Sequence, residues 1–123
     1  MESIQKKTVV LGASDNPSRY SYLAVERLQK HNHPVVAIGK QAGKVGTIDI
    51  NEEQLPLIGV DTVTLYLNPK NQQQYYDYIF SLQPKRIIFN PGAENEELAA
   101  LAKSKGIEPI EACTLVMLST GQY

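Results

Sequence analysis

Short apolar runs separated by stretches of helical periodicity recur along the whole chain, and that alternation constrains the fold more than any other feature. Thr8-Val9-Val10-Leu11 is stopped by Gly12, and Val35-Val36-Ala37-Ile38 is stopped by Gly39. Thr62 to Leu67, Arg86 to Asn90 and Ile107 to Ile110 complete a set of five expected strands. Between them, Leu23, Val25 and Leu28 mark a helix over about Ser21 to Lys30. Asn68-Pro69 supplies a cap and a first-turn proline for a helix reaching Leu82. Glu96 to Lys105 is rich in helix formers and Gly106 ends it, while Thr114 to Ser119 has room for a last helical turn. Strands that are apolar on both faces and alternate with helices belong in a mostly parallel sheet covered on both sides. With right-handed crossovers, the expectation is an α/β, Rossmann-like, doubly wound sheet of five strands in the order 3-2-1-4-5, built by residues 1–123 as a single domain. Gln41 to Ile58 fits the alternation poorly and has room for a short extra strand over Thr47 to Ile50. Gln72-Gln73-Gln74 reads as a polar helix face.

Bulk properties exclude several classes. A net charge of −1 offers no basic face for nucleic acid, and no basic amphipathic helix suggests a membrane surface. Met1 to Thr8 is charged and lacks the apolar core of a signal peptide, and no apolar run approaches a transmembrane span, so a cytoplasmic protein is expected. With one cysteine, no internal disulfide can form.

In open α/β sheets, ligands bind beyond the carboxyl ends of the strands where the strand order reverses. In the expected order that crevice lies between the first and fourth strands, faced by Gly12 to Pro17 and by Asn90-Pro91-Gly92. The first loop runs into a helix whose N-terminus favours an anion; Ser14 adds a hydroxyl and Arg19 a charge suited to phosphate. The three-glycine dinucleotide fingerprint is absent, since only Gly12 is present. Folds that bind NAD place an acidic residue about 20 positions beyond the loop to hold the ribose hydroxyls. Here the second strand ends in Ile38-Gly39-Lys40, and a lysine suits a ribose carrying a phosphate, as in coenzyme A or NADP.

Val9-Val10-Leu11-Gly12-Ala13-Ser14 followed by Asn16-Pro17-Ser18-Arg19-Tyr20-Ser21-Tyr22 resembles the opening of the small stand-alone CoA-binding proteins. These are similar in fold to the CoA-binding domain of the succinyl-CoA synthetase alpha subunit. Lys40 falls on the lysine that ends the family's second strand, and Gly46 on a glycine shortly after it. Asn90-Pro91-Gly92-Ala93 with Asn95-Glu96-Glu97 falls on the fourth-strand loop and the helix behind it, and Glu111-Ala112-Cys113 on a cysteine-containing stretch. The family usually has Asn-Pro before its lysine, where this chain has Ile38-Gly39. It also has tryptophan, glutamine and glycine around the fourth-strand loop, where this chain has Phe89, Asn90-Pro91 and Gly92. The resemblance implies pyrophosphate on Gly12, Ala13, Ser14, Arg19 and Ser21. It implies the ribose phosphate at Gly39 and Lys40, and a closing wall from Asn90, Pro91 and Gly92. No nucleophile–base pair or metal cluster is visible in the sequence, so binding without catalysis of the chain's own is expected.

Cys113 is either a thiol facing the thiol end of a bound ligand or a small core residue. His31 and His33 lack a metal-ligand cluster and read as surface residues, and Glu94, Glu96 and Glu97 suit a helix start. Tyr75, Tyr76 and Tyr78 read as packing residues, and so do Tyr20 and Tyr22, which flank the phosphate loop. Two other readings stand beside CoA binding: an NADP-dependent oxidoreductase, and a protein-interaction module that keeps the fold without the ligand. No protein partner is indicated.

Overall fold

The computed structural model describes residues 4–123, so Met1 to Ser3 of the charged opening stretch lie outside the described residues. The chain runs β1 (Thr8–Leu11), α1 (Tyr20–Lys30), β2 (Val35–Ile38), β3 (Gly43–Val45), β4 (Ile48–Asn51) and β5 (Thr62–Leu65). It continues through α2 (Pro69–Gln72), a 3-10 turn (Gln73–Tyr75), α3 (Tyr76–Leu82), β6 (Arg86–Phe89), α4 (Glu96–Ser104), β7 (Glu108–Glu111) and α5 (Thr114–Ser119). The α/β, Rossmann-like, mostly parallel sheet is therefore present, with two corrections to the expected topology.

The first correction is the number of strands: one sheet of seven, in the order β3-β4-β2-β1-β5-β6-β7, replaces the expected five. Gln41 to Ile58 supplies the extra pair. β4 runs parallel to β2 through Ala37–Ile50 and Ile38–Asn51, and β3 folds back antiparallel on β4. The second correction is the place of the 62–65 strand, which pairs with β1 in the register Val9–Val63 rather than lying beyond β2. Handedness alone admits either side of β1. The hairpin settles the matter by occupying the free edge of β2, leaving β1 as the strand with an open side. In the expected numbering the order is 2-1-3-4-5, and the reversal point lies between β1 and β5.

Strand periodicity explains the continuous apolar runs. Val9, Leu11, Val63, Leu65, Ile87 and Phe89 face Tyr78, Ile79 and Leu82 of α3 with Leu98 and Ala102 of α4. Alternating with them, Val10, Ala37 and Ile88 face Val25 and Leu28 of α1 with Met117 and Leu118 of α5. The helix expected from Asn68 to Leu82 is interrupted at the 3-10 turn, and Asn68 does cap its start, accepting from the Asn71 N–H at 2.9 Å. At the outer border of the sheet, Pro109 of β7 pairs with Ile87 on its inner side.

At the amino end of the strands, away from the reversal point, Arg86 Nε donates to Thr62 Oγ1 at 2.8 Å, and its guanidinium lies 4.4 Å from the centre of the Tyr123 ring. The Tyr123 hydroxyl meets Thr8 Oγ1 at 2.5 Å. His33 packs on the same ring at 4.9 Å and accepts from the Lys6 N–H at 3.0 Å. Burial, and then the positive charges of Lys6, His31 and Arg86, hold the His33 imidazole below its usual 6.5; Asp61 opposes them. His33 is thus neutral in the fold where the unfolded chain already takes up a proton. Its contribution to stability is complete above about pH 6.5 and is lost as the pH falls. Urea midpoints measured between about pH 7.5 and pH 5 should therefore fall less steeply in His33→Gln, which removes the titrating ring, than in the wild type.

Candidate functional site

A cleft of about 630 Å³ opens over the carboxyl ends of β2, β1, β5 and β6. Its floor depends on two glycines. Gly12 leaves β1 with φ +89°, and a Cβ there would stand 2.7 Å from the Tyr66 carbonyl oxygen. A Cβ on Gly39 would stand 2.2 Å from the Ala13 carbonyl oxygen, closer than any side chain allows. The N–H groups of Gly12 and Ala13 both donate to the Ile38 carbonyl, at 2.9 and 3.0 Å, so the loop is drawn down onto the end of β2.

Beyond Ala13 the loop satisfies its own polar groups. Asn16 N–H donates to Ser14 Oγ at 3.1 Å, and Ser18 donates to Asn16 Oδ1 from both its N–H (3.0 Å) and its hydroxyl (2.8 Å). These side chains are consequently not spent on the helix that follows. Arg19 stands at the N-cap of the 11-residue α1, no side chain caps it, and no acidic residue occupies its first turn. The positive end of the helix dipole is left to whatever enters the cleft. Arg19 and Lys40 line the cleft, and among the described residues neither takes part in an ion pair and no Asp or Glu lines it.

The other half of the cleft is neutral. Tyr66, Leu67, Asn68, Asn71, Gln74 and Tyr75 line it from the β5 side, and Pro91, Gly92 and Ala93 from the β6 side. Proline has no N–H, the Gly92 N–H donates to the Glu94 carboxylate at 2.8 Å, and the Ala93 N–H to the Asn90 carbonyl at 2.8 Å. This wall shapes the cleft without offering main-chain donors to an anion. Burial pushes the Tyr66 phenol well above its ordinary pKa.

Of the residues singled out by sequence, Gly12, Ala13, Ser14, Arg19, Ser21, Gly39, Lys40, Pro91 and Gly92 line this one cleft. Asn90 does not. It is 2% exposed, its amide donates to Thr64 Oγ1 at 2.7 Å and the Leu65 carbonyl at 2.9 Å, and its oxygen accepts from the Thr114 N–H at 2.9 Å. It staples β5, β6 and α5 behind the wall. The Gly12 and Asn90 loops are not direct neighbours either, because the end of β5 lies between them through Leu11–Leu65 and Leu65–Phe89. Tyr20 lines the cleft and is 72% exposed. Cys113 is half-buried and is not among the lining residues. The residues from 66 to 75 escaped the sequence reading because the expected order put their strand at the far border. The correct order, with β5 beside β1, is the signal that would have found them.

A Rossmann-like α/β domain with an anion-favouring cleft at its reversal point is the class that this fold and site define. The chain belongs to the family of CoA-binding domains, whose model matches residues 6–119. It is similar to an uncharacterized protein of known crystal structure, with 52% identity, a TM-score of 0.95, and coverage of 98% of this chain and 100% of the other. Two more distant structures share the fold. A hypothetical protein from Pyrococcus horikoshii OT3 has 20% identity and a TM-score of 0.84, covering 94% of this chain and 83% of that one. A conserved hypothetical protein from Pyrococcus furiosus has 23% identity and a TM-score of 0.76, covering 90% and 97%. No curated protein matches the sequence significantly. No helix among the described residues is long and apolar enough to cross a membrane, and no group of three or more His, Cys, Asp or Glu among them could hold a metal ion.

Because Asn90 satisfies three buried partners, Asn90→Ala should cost about 2 kcal/mol or more in chemical denaturation, as expected when buried groups lose their hydrogen bonds. An unchanged denaturation midpoint would show that the staple contributes nothing.

Proposed function

We propose that the chain binds coenzyme A, or an acyl-CoA, lengthwise across the carboxyl edge of the sheet and performs no catalysis of its own. One observation carries the reading: the cleft has two unlike halves. Its β2–β1 half gathers Lys40, Arg19, Ser14, Ser21 and the uncapped start of α1, with no carboxylate among the lining residues. Its β5–β6 half is neutral and edged with side-chain amides. Coenzyme A has the same polarity, with three phosphates at the nucleotide end and an uncharged arm bearing two amides.

Neighbouring strands stand about 4.8 Å apart, so four strand ends span roughly 14 Å, enough for an extended ligand and not only a phosphate. In this pose Lys40 faces the 3′-phosphate, and Arg19 with the α1 N-terminus takes the pyrophosphate. Gly12 and Gly39 let the main chain come close, and Pro91 and Gly92 close the neutral end. The lining holds no pairing of a nucleophile with a histidine or carboxylate base, which supports binding rather than turnover.

The pose separates the two cations. Charge-assisted hydrogen bonds are worth roughly 1.5–3 kcal/mol, so Arg19→Ala should weaken both CoA and dephospho-CoA about tenfold or more in titration calorimetry. Lys40→Ala should weaken CoA to a similar degree while sparing dephospho-CoA, which lacks the 3′-phosphate. Equal losses for both ligands in Lys40→Ala would remove the lysine from the ribose phosphate. Thermal shifts with CoA, NADP and NAD test the ligand class: NADP above CoA points to the oxidoreductase reading, and no shift with any of the three to the interaction module.

A further inference from the structure

Gln72 belongs to the polar run expected to form a solvent-facing helix surface, yet it is fully buried. It is the last residue of α2, where the helix tightens into the 3-10 turn, and its side chain points inward. Its amide nitrogen donates to the Leu67 carbonyl at 2.8 Å and to the Ala93 carbonyl at 2.8 Å. Leu67 and Ala93 line the neutral half of the cleft from its two opposite sides. A single amide group therefore ties the loop after β5 to the loop after β6. The tie has a fixed orientation, because Gln72 Oε1 accepts from Asn95 Nδ2 at 2.8 Å, which leaves both N–H groups for the two carbonyls. Asn95 is itself held: its amide donates also to the Tyr76 hydroxyl at 2.9 Å, and its oxygen accepts from the Leu98 N–H at 3.2 Å as the cap of α4.

We infer that Gln72 is a positioning residue, setting the separation of the two walls between which the uncharged arm of the ligand lies. The inference rests on the CoA reading and adds to it a residue that touches no ligand. The neutral half offers no charge to hold an arm, so its affinity depends on fit, and fit depends on wall spacing. Main-chain carbonyls in loops have no ladder to hold them in register. Here the two that matter share one buried donor group.

The test uses two ligands and two variants. Adenosine 3′,5′-bisphosphate carries the nucleotide end and lacks the arm; CoA carries both. Gln72→Met keeps the approximate volume and removes both donors. Asn95→Asp keeps a capping oxygen for α4 and replaces the donor to Gln72 Oε1 with an acceptor, which favours a flipped amide and breaks the tie without touching Gln72. Titration calorimetry on both variants should show CoA weakened about tenfold, the order of one to two buried hydrogen bonds, and adenosine 3′,5′-bisphosphate within about twofold of the wild type. A merely structural role would lower the melting temperature and weaken both ligands alike, and that result overturns the assignment. So does unaltered CoA affinity in Gln72→Met. Hydrogen exchange on the ligand-free protein gives a second reading. The Ala93 amide should exchange faster in both variants and the Gly12 amide should not, and equal protection at Ala93 would also overturn the assignment. Wild-type protein that binds neither ligand would instead overturn the CoA reading itself.

Discussion

The end of β2 and the loop leaving β1 lie backbone on backbone, and the rest of the site follows from that contact. Where a side chain at position 39 would begin, the Ala13 carbonyl oxygen already stands. The neighbouring N–H groups of Gly12 and Ala13 converge on the Ile38 carbonyl. Drawn down in this way, the loop turns through Ser14, Asn16 and Ser18 and delivers α1 with no side chain capping its N-terminus. The departure from the family's usual Asn-Pro before its lysine has a physical counterpart here. A proline ring at position 39 would occupy the space that Ala13 fills, so Gly39 and the seated loop go together.

Much of this architecture was legible in the residues. Runs such as Val9-Val10-Leu11 and Ile87-Ile88-Phe89 announced strands buried on both faces, and the caps at Asn68 and Gly106 stand where turn and helix chemistry put them. The order of the strands was not legible. Either side of β1 gives a right-handed crossover, and the deciding element was a hairpin whose strands, Gly43–Val45 and Ile48–Asn51, are too short and too mixed to declare themselves. The cleft residues of the first and second strands were readable because glycine, serine, arginine and lysine carry their chemistry in their identity. Those after β5 were not, since their role comes from adjacency alone. Asn90 and Gln72 show the same limit from opposite sides. One amide beside a proline and a glycine read as a ligand contact and proved to be a staple. The other, in a run of three glutamines, read as solvent-facing and proved to be buried.

The two halves of the cleft are held by different means. The cationic half is fixed by main-chain contact at the ends of β1 and β2, which no side-chain motion can relax. The neutral half depends on side-chain amides reaching between loops, which leaves it the more adjustable of the two. Changes of ligand preference within such a fold are therefore expected to accumulate on the β5–β6 side, where spacing can alter without unseating the loop that leaves β1.

The two outer strands carry a consequence for how molecules meet one another. At one border, β7 reads Glu108-Pro109-Ile110-Glu111, with a residue that has no N–H between two carboxylates. At the other, β3 is three residues long and its lysine is paired across the hairpin with Asp49. A neighbouring copy finds few main-chain groups to pair with at either border, and at the β7 border a second β7 would also bring like charges together. Lateral stacking of sheets, the usual first step toward fibres, is thereby discouraged at both ends, and the growth of the sheet is self-limiting.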